Sequence, residues 1–136
     1  MYSFVDRVAT LDEHRALALS VGWEDHFSYP AIGASLEASV RGCVVLSENE
    51  AVGMARLVGD GSHYFYVQDV LVHPDHTDGG LATQLVERLV DWVAQTAPAD
   101  AVVGLFASPE AIGVYDELGF SNDDATGMLL QVPVKR

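Results

Sequence analysis

Two short stretches of this chain hold residue types that could do chemistry together. The first runs from Val70 to Ala82, Val-Leu-Val-His-Pro-Asp-His-Thr-Asp-Gly-Gly-Leu-Ala, from a β-branched segment through a paired glycine into the start of an amphipathic helix. The first amides of a helix have no intrahelical partner and sit at its positive end, so such a turn attracts phosphate without any basic side chain. Gly79 and Gly80 remove the Cβ atoms that would keep an oxygen away from those amides. The second stretch, Ser108 to Phe120, carries Tyr115 on a short segment with helix signals at both ends. Ser108 is placed to cap it, Pro109 suits the first helical position, Glu110 suits the positive end, and Gly119 is the expected left-handed stop. These signals predict a helix over 109–118. A lone helical tyrosine is ordinarily a half-buried packing residue, so Tyr115 gains a chemical reading only from its surroundings.

Elements that could position these residues can be read on either side. Leu81, Leu85, Leu89 and Val93 recur every fourth residue, widened by Ala82, Val86, Val90 and Trp92, with Gln84, Glu87, Arg88 and Asp91 opposite. That period demands a helix with one buried face. The segment from His63 to Val72 is rich in Tyr, Phe and Val and ends before Pro74, which cannot continue a ladder. Cys43 to Leu46 and Ala51 to Val58 read as two strands around the turn Ser47-Glu48-Asn49-Glu50, and 101–106 reads as another. Phe4 and Val5 open a first strand, and Met128 to Val134 is the expected last one. Thr10-Leu11-Asp12-Glu13 is a capping box starting a helix to about Ser20, and Pro30 begins a second through Val40.

Neither Gly-x-x-x-x-Gly-Lys-Ser/Thr nor Gly-x-Gly-x-x-Gly occurs, so nucleoside triphosphatase and dinucleotide sites are not indicated. The turn instead resembles the acyl-coenzyme A loop of the GNAT N-acetyltransferase superfamily, Gln/Arg-x-x-Gly-x-Gly/Ala, over Thr77, Asp78, Gly79, Gly80, Leu81 and Ala82. Thr77 stands where Gln or Arg is usual, and Asp78 puts a carboxylate beside the expected pyrophosphate. Ser108 to Phe120 resembles the downstream pattern Asn-x-x-Ala-x-x-x-Tyr-x-x-x-Gly-Phe, with Ser108 in the Asn position. The likeness covers most of the chain from Cys43 onward.

The resemblance implies an α/β (α+β) GNAT fold in one domain over 1–136, a mixed, mostly antiparallel sheet flanked by about four helices and splayed between its fourth and fifth strands. It implies acetyl transfer from acetyl-coenzyme A to a primary amine of a small molecule or protein. The pantetheine arm would lie along Leu71 and Val72, and a backbone amide near Leu71 would polarise the thioester. Thr77 to Thr83 (Thr77, Asp78, Gly79, Gly80, Leu81, Ala82, Thr83) and Ser108 would hold the rest of the carrier, and Tyr115 would protonate the leaving thiolate. For the base, Gln68 is incapable, Asp69 is the candidate, and Glu24 and His26 are weaker ones. A structural carboxylate remains an equal reading of Asp69, with water taking the proton. The aromatic and acidic run Trp23 to Tyr29 would line the acceptor pocket or cover the edge of the core. A non-catalytic acyl-coenzyme A sensor on the same scaffold is the alternative function, and an unrelated α/β protein with a structural glycine turn is a third.

Composition narrows the partners. The chain has 136 residues, 49% of them hydrophobic, enough for one core. Its formal charge is −13 with a single lysine, Lys135, which argues against a basic nucleic-acid-binding face. The acids run along the whole chain, favouring a high-salt cytoplasm over a field that draws a cationic substrate, and both readings stay open. No segment reaches the roughly 18 apolar residues of a membrane span, and Met1 to Arg7 is no secretory signal. Cys43, alone in an apolar run, reads as a packed hydrophobe in a reducing cytoplasm. The five histidines show no ligand spacing, so no metal is expected. A homodimer through the final strands is a family habit.

Overall fold

A computed structural model of the chain describes residues 1–133. These form two compact units, 1–104 and 105 onward. The first holds five strands in the order β1 to β5: β1 (Tyr2–Val5), β2 (Arg41–Ser47), β3 (Glu50–Gly59), β4 (Tyr64–Val72) and β5 (Val102–Gly104). Neighbouring strands from β1 to β4 are antiparallel, and β5 joins β4 in parallel. The expected mixed, mostly antiparallel sheet is therefore present. So is the splay: β5 pairs only Tyr64 to Tyr66, and among the described residues no strand covers that edge of β4 from Val67 to Val72.

Three helices belong to this unit. α1 (Leu11–Ser20) begins on the expected capping box, with Thr10 Oγ1 accepting from the Glu13 amide at 3.1 Å and a Glu13 carboxylate oxygen accepting from the Thr10 amide at 2.8 Å. α2 (Tyr29–Glu37) ends three residues before the expected Val40, because the chain turns to start β2 at Arg41. α3 (Leu81–Thr96) buries Leu81, Leu85, Val86, Leu89 and Val93, the stripe its period required. Leu17, Ala18 and Leu36 of α1 and α2 cluster with Val44, Met54 and Leu71 of the sheet. Alternation along the strands turns Val45 and Gly53 to the other face, where a Cβ on Gly53 would lie 3.3 Å from Leu85 of α3.

The second unit is sparser. α4 (Ile112–Glu117) is shorter than the expected 109–118. Its cap is Ala111 without a side-chain bond, so Ser108 does not cap it; the Ser108 carbonyl accepts from the Ala111 amide at 2.9 Å and the chain makes a turn there first. Gly119 has φ +99°, the left-handed stop read from sequence. The expected strand over 101–106 is three residues long. The strand expected from Met128 to Val134 is not formed among the described residues: 128–133 pair with nothing, their large side chains are exposed, and Val134 lies outside the described residues. An apolar β-prone run forms a strand only when it finds an edge to pair with.

Gly53 lets the sheet and α3 approach where they carry the loop. A Cβ there would lie 2.8 Å from Val45 Cγ1 and 3.2 Å from the Leu71 carbonyl oxygen. Gly53→Ala is expected to cost about 1–3 kcal/mol by overpacking, read as a lower urea midpoint with unchanged m-value.

Candidate functional site

β4 is not regular where the site residues lie. Met54 pairs with Leu71 and Arg56 with Gln68, so two residues of β4, Asp69 and Val70, face Ala55 alone. This is a β-bulge, and Asp69 takes φ +56° within it. Left-handed backbone in a non-glycine residue is uncommon and needs support.

The support is a buried ion pair. Asp69 is 7% exposed and Arg56 is 3% exposed. Arg56 Nε donates to Asp69 Oδ2 at 2.9 Å, His14 Nε2 lies 3.2 Å from the same oxygen, and Gln68 Nε2 donates to Oδ1 at 3.2 Å. Burial pushes the Asp69 carboxyl up, but His14, Arg56 and Gln68 together outweigh it and hold the carboxyl below its ordinary range. The rest of the Arg56 guanidinium reaches α2 and the turn after it, donating to the Ser35 carbonyl at 2.9 Å, Ser39 Oγ at 3.1 Å and Ser35 Oγ at 3.0 Å. One guanidinium thus ties β3, β4 and α2 to the bulge. Asp69 thus lies buried, with His14, Arg56 and Gln68 side chains as its partners.

After Val72 the chain makes a 3-10 turn, Pro74–Gly79, and Gly80 at φ +69° leads into α3. This turn was not anticipated from the sequence, where the glycines enter the helix directly. Thr77 Oγ1 donates to the Pro74 carbonyl at 3.2 Å, within the turn, and Asp78 is exposed. No side chain caps α3. Gln84 Nε2 bonds the carbonyl oxygens of Gly79 at 3.2 Å and Gly80 at 3.3 Å, which fixes the turn without using the amides of Leu81, Ala82 and Thr83. The space above both glycines is open: a Cβ on Gly79 would meet nothing nearer than 3.9 Å, and one on Gly80 nothing nearer than 4.0 Å. Free first-turn amides under an open surface are what an anionic group such as a pyrophosphate requires. Leu71 is buried and Val72 partly so, on the stretch of β4 that β5 leaves uncovered.

In the second unit Tyr115 is half-buried on α4 and packs edge-on against Phe120 at 5.9 Å between ring centroids. Burial raises its phenol, keeping it protonated at neutral pH. Ser108 is exposed at the entry to that segment.

Sequence reasoning missed His14. It is fully buried on α1, and its spacing to Asp69 is 55 residues, so no local pattern joins them. The capping box that fixes the start of α1 was the one available signal, since it sets which face His14 occupies. Among the described residues no group of three or more His, Cys, Asp or Glu side chains could hold a metal, and no helix is long and apolar enough to cross a membrane.

Comparison with known proteins agrees with this architecture. The sequence model of the acetyltransferase (GNAT) family matches residues 8–120. The chain belongs to that family. An uncharacterised N-acetyltransferase of Pyropia yezoensis is 30% identical over 77 residues, 57% of this chain and 43% of the relative. The chloroplastic serotonin N-acetyltransferase 2 of Oryza sativa subsp. japonica is 35% identical over 77 residues, 57% of this chain and 38% of the relative. The aligned part is thus less than half of these curated relatives. Among solved structures, a GNAT-family acetyltransferase of Streptococcus pneumoniae superposes with a TM-score of 0.81 at 24% identity, covering 98% of this chain and 99% of that one. At that identity the likeness is one of fold.

The ion pair has a pH signature. The folded chain holds the Asp69 carboxyl below its ordinary value near 4, so around and below that pH the unfolded chain binds more protons than the folded one. The stabilisation is complete above about pH 5 and drains away as the pH falls through the depressed folded value. Asp69→Asn strands the Arg56 charge and is expected to cost about 3–5 kcal/mol at pH 7. Urea midpoints at pH 7 and pH 3.5 should show the gap between wild type and variant narrowing in acid.

Proposed function

We propose that this chain transfers an acetyl group from acetyl-coenzyme A directly to a primary amine. The observation that carries the reading is the open glycine turn of Gly79 and Gly80 before uncapped α3, in a chain whose family is acetyltransferase. Acetyl-coenzyme A would supply the activated acetyl group and a thiolate leaving group. Amides from Asp78 to Thr83 grip its pyrophosphate, with Thr77 at the margin, and the family resemblance of the second motif supports a carrier-binding role for Ser108. The backbone of Leu71 and Val72 pairs with the extended pantetheine arm at the uncovered edge of β4, as an added strand would. A backbone amide beside the bulge, near Leu71, faces the thioester oxygen and stabilises the negative charge that develops there.

The amine nitrogen forms a bond to the thioester carbon as the carbon–sulfur bond breaks. Tyr115 donates its phenolic proton to the departing sulfur and recovers one from water, and the proton lost by the amine goes to water. Asp69 is an ionised carboxylate already engaged on both oxygens, which supports the holding role over the role of base. A scaffold that binds the acyl carrier without transferring the group is the second reading, favoured by Thr77, Asp78 and Ser108 at positions where the family pattern has Gln or Arg, an unspecified residue and Asn.

Two variants separate these readings. Gly79→Glu is tolerated by the fold, since Gly79 has open space and no left-handed φ, yet it puts a carboxylate where the pyrophosphate lies. Calorimetry should show loss of acetyl-coenzyme A binding at an unchanged melting temperature, and retained affinity would remove the loop assignment. Tyr115→Phe should keep that binding and lower thiol release with a panel of amines by about 10²- to 10⁴-fold. Binding without thiol release from any amine in the wild type would favour the sensor.

A further inference from the structure

In a straight strand a residue's amide and carbonyl point to the same neighbouring strand and those of the next residue to the other, so residues an even number apart share both an edge and a face. β4 breaks this rule. Just before it, the His63 carbonyl accepts from the Val102 amide of β5 at 2.7 Å, and just after it the His73 amide donates to the Val52 carbonyl of β3 at 2.8 Å. His63 and His73 are an even number apart, yet one faces β5 and the other faces β3. Side chains repeat the change. Phe65 packs edge-on against Trp92 of α3, with ring centroids 6.3 Å apart, whereas Leu71, again an even number on, clusters with Leu17 of α1 and Leu36 of α2. The change of phase falls at the bulge, where Asp69 and Val70 face Ala55 alone.

Counting back from His73 gives the direction of each amide beyond the bulge. Leu71 points to β3, as His73 does, while Val70 and Val72 point to the side of β4 that β5 does not pair. Without the extra residue the order is the reverse, with Leu71 outward and Val70 and Val72 spent on β3. The extra residue is accommodated by φ +56° at Asp69, a conformation that a non-glycine residue keeps only where its surroundings impose it. Arg56 imposes it. Its Nε donates to Asp69 Oδ2 at 2.9 Å while its other nitrogens are fixed on Ser35 and Ser39, so the carboxylate and the backbone behind it are tied to α2 and the turn that follows. A buried ion pair adds little net stability over a well-packed apolar pair, and its best-attested use is to select one register among several.

We propose that Arg56 and Asp69 are positioning residues for acetyl transfer: their ion pair holds the phase change in β4 that turns the amides of Val70 and Val72 to the uncovered edge and the Leu71 side chain into the core. Each acts through the backbone of β4 and neither on the reacting atoms. As an aid to transfer, the role rests on the acetyl-transfer reading; as the control of which amides face the edge, it does not.

The test compares two neutral pairs in the full chain, Arg56→Met/Asp69→Gly and Arg56→Met/Asp69→Val. Neither strands a charge, and both remove the carboxylate and leave His14 alike, so any part played by Asp69 as a base cancels. Glycine takes the left-handed φ unaided and valine resists it. At saturating acetyl-coenzyme A and amine, and where circular dichroism shows both chains folded, the glycine chain should release thiol about 10²-fold faster, the size of effect that one misplaced backbone donor has. Amide hydrogen exchange by NMR reads the phase itself. In the wild type and the glycine chain Leu71 and His73 should exchange more slowly than Val70 and Val72, and in the valine chain Leu71 should become the fast one. Equal turnover in the two double variants, the reverse exchange order in the wild type or the glycine chain, or an unchanged order in the valine chain would overturn the proposal; the wild type and glycine chain decide even if the valine chain does not fold. A wild type that binds no coenzyme and releases no thiol, yet shows this order and loses it in the valine chain, removes the enzyme and leaves the control of the amides standing.

Discussion

The contact between the Arg56 guanidinium and the Asp69 carboxylate is the constraint on which the front of this molecule depends. Neither charge would be tolerated alone at that depth, because the cost of removing an ion from water exceeds most single interactions in a folded chain. Together, with His14, Gln68, Ser35 and Ser39 completing the donor and acceptor count, they are satisfied. The pair does more than sit in the core. It holds β4 in a left-handed kink that regular pairing would remove, and it ties that kink to the helix covering it.

The bulge and the splay beyond Tyr66 have a shared result. A strand that stayed paired along its whole length would present no free backbone, and the amides and carbonyls of Val67 to Val72 would be spent on a neighbour. Here no strand among the described residues pairs with one side of that stretch, while the other is anchored on β3, an edge of the kind an extended ligand can join. The loop that follows works by the same economy of side chains. Its turn is braced by Gln84 through carbonyl oxygens, so the helix amides stay available.

Much of this was legible in the residues because local rules and the tertiary structure agree. The capping box at Thr10, the fourfold spacing from Leu81 to Val93 and the stop at Gly119 each act through nearest neighbours, and each stands where its pattern placed it. The failures share a different cause. Ser108 and Pro109 carry good helix-start signals, but the turn closed by the Ala111 amide forms first and the helix begins later. Met128 to Val132 has strand composition, yet a strand needs a neighbour, and composition does not say whether one is at hand. The bulge at Asp69 is a matter of register between two strands, and the approach of His14 across 55 residues is a matter of packing. Neither leaves a trace in a window of sequence. The open turn before α3 could be placed from its glycines, although the 3-10 turn that leads into it could not.

The open surface over Gly79 and Gly80 has an evolutionary corollary. Main-chain nitrogens are the same in every residue but proline, so a pocket that holds its ligand with them is largely indifferent to which side chains drift nearby. On the proposed reading, Thr77 and Asp78 can depart from common usage, and the exterior can accumulate carboxylates, while the grip would stay encoded in two missing Cβ atoms. Selection on such a pocket acts on absence, and a lineage can rewrite almost every neighbouring letter without losing it.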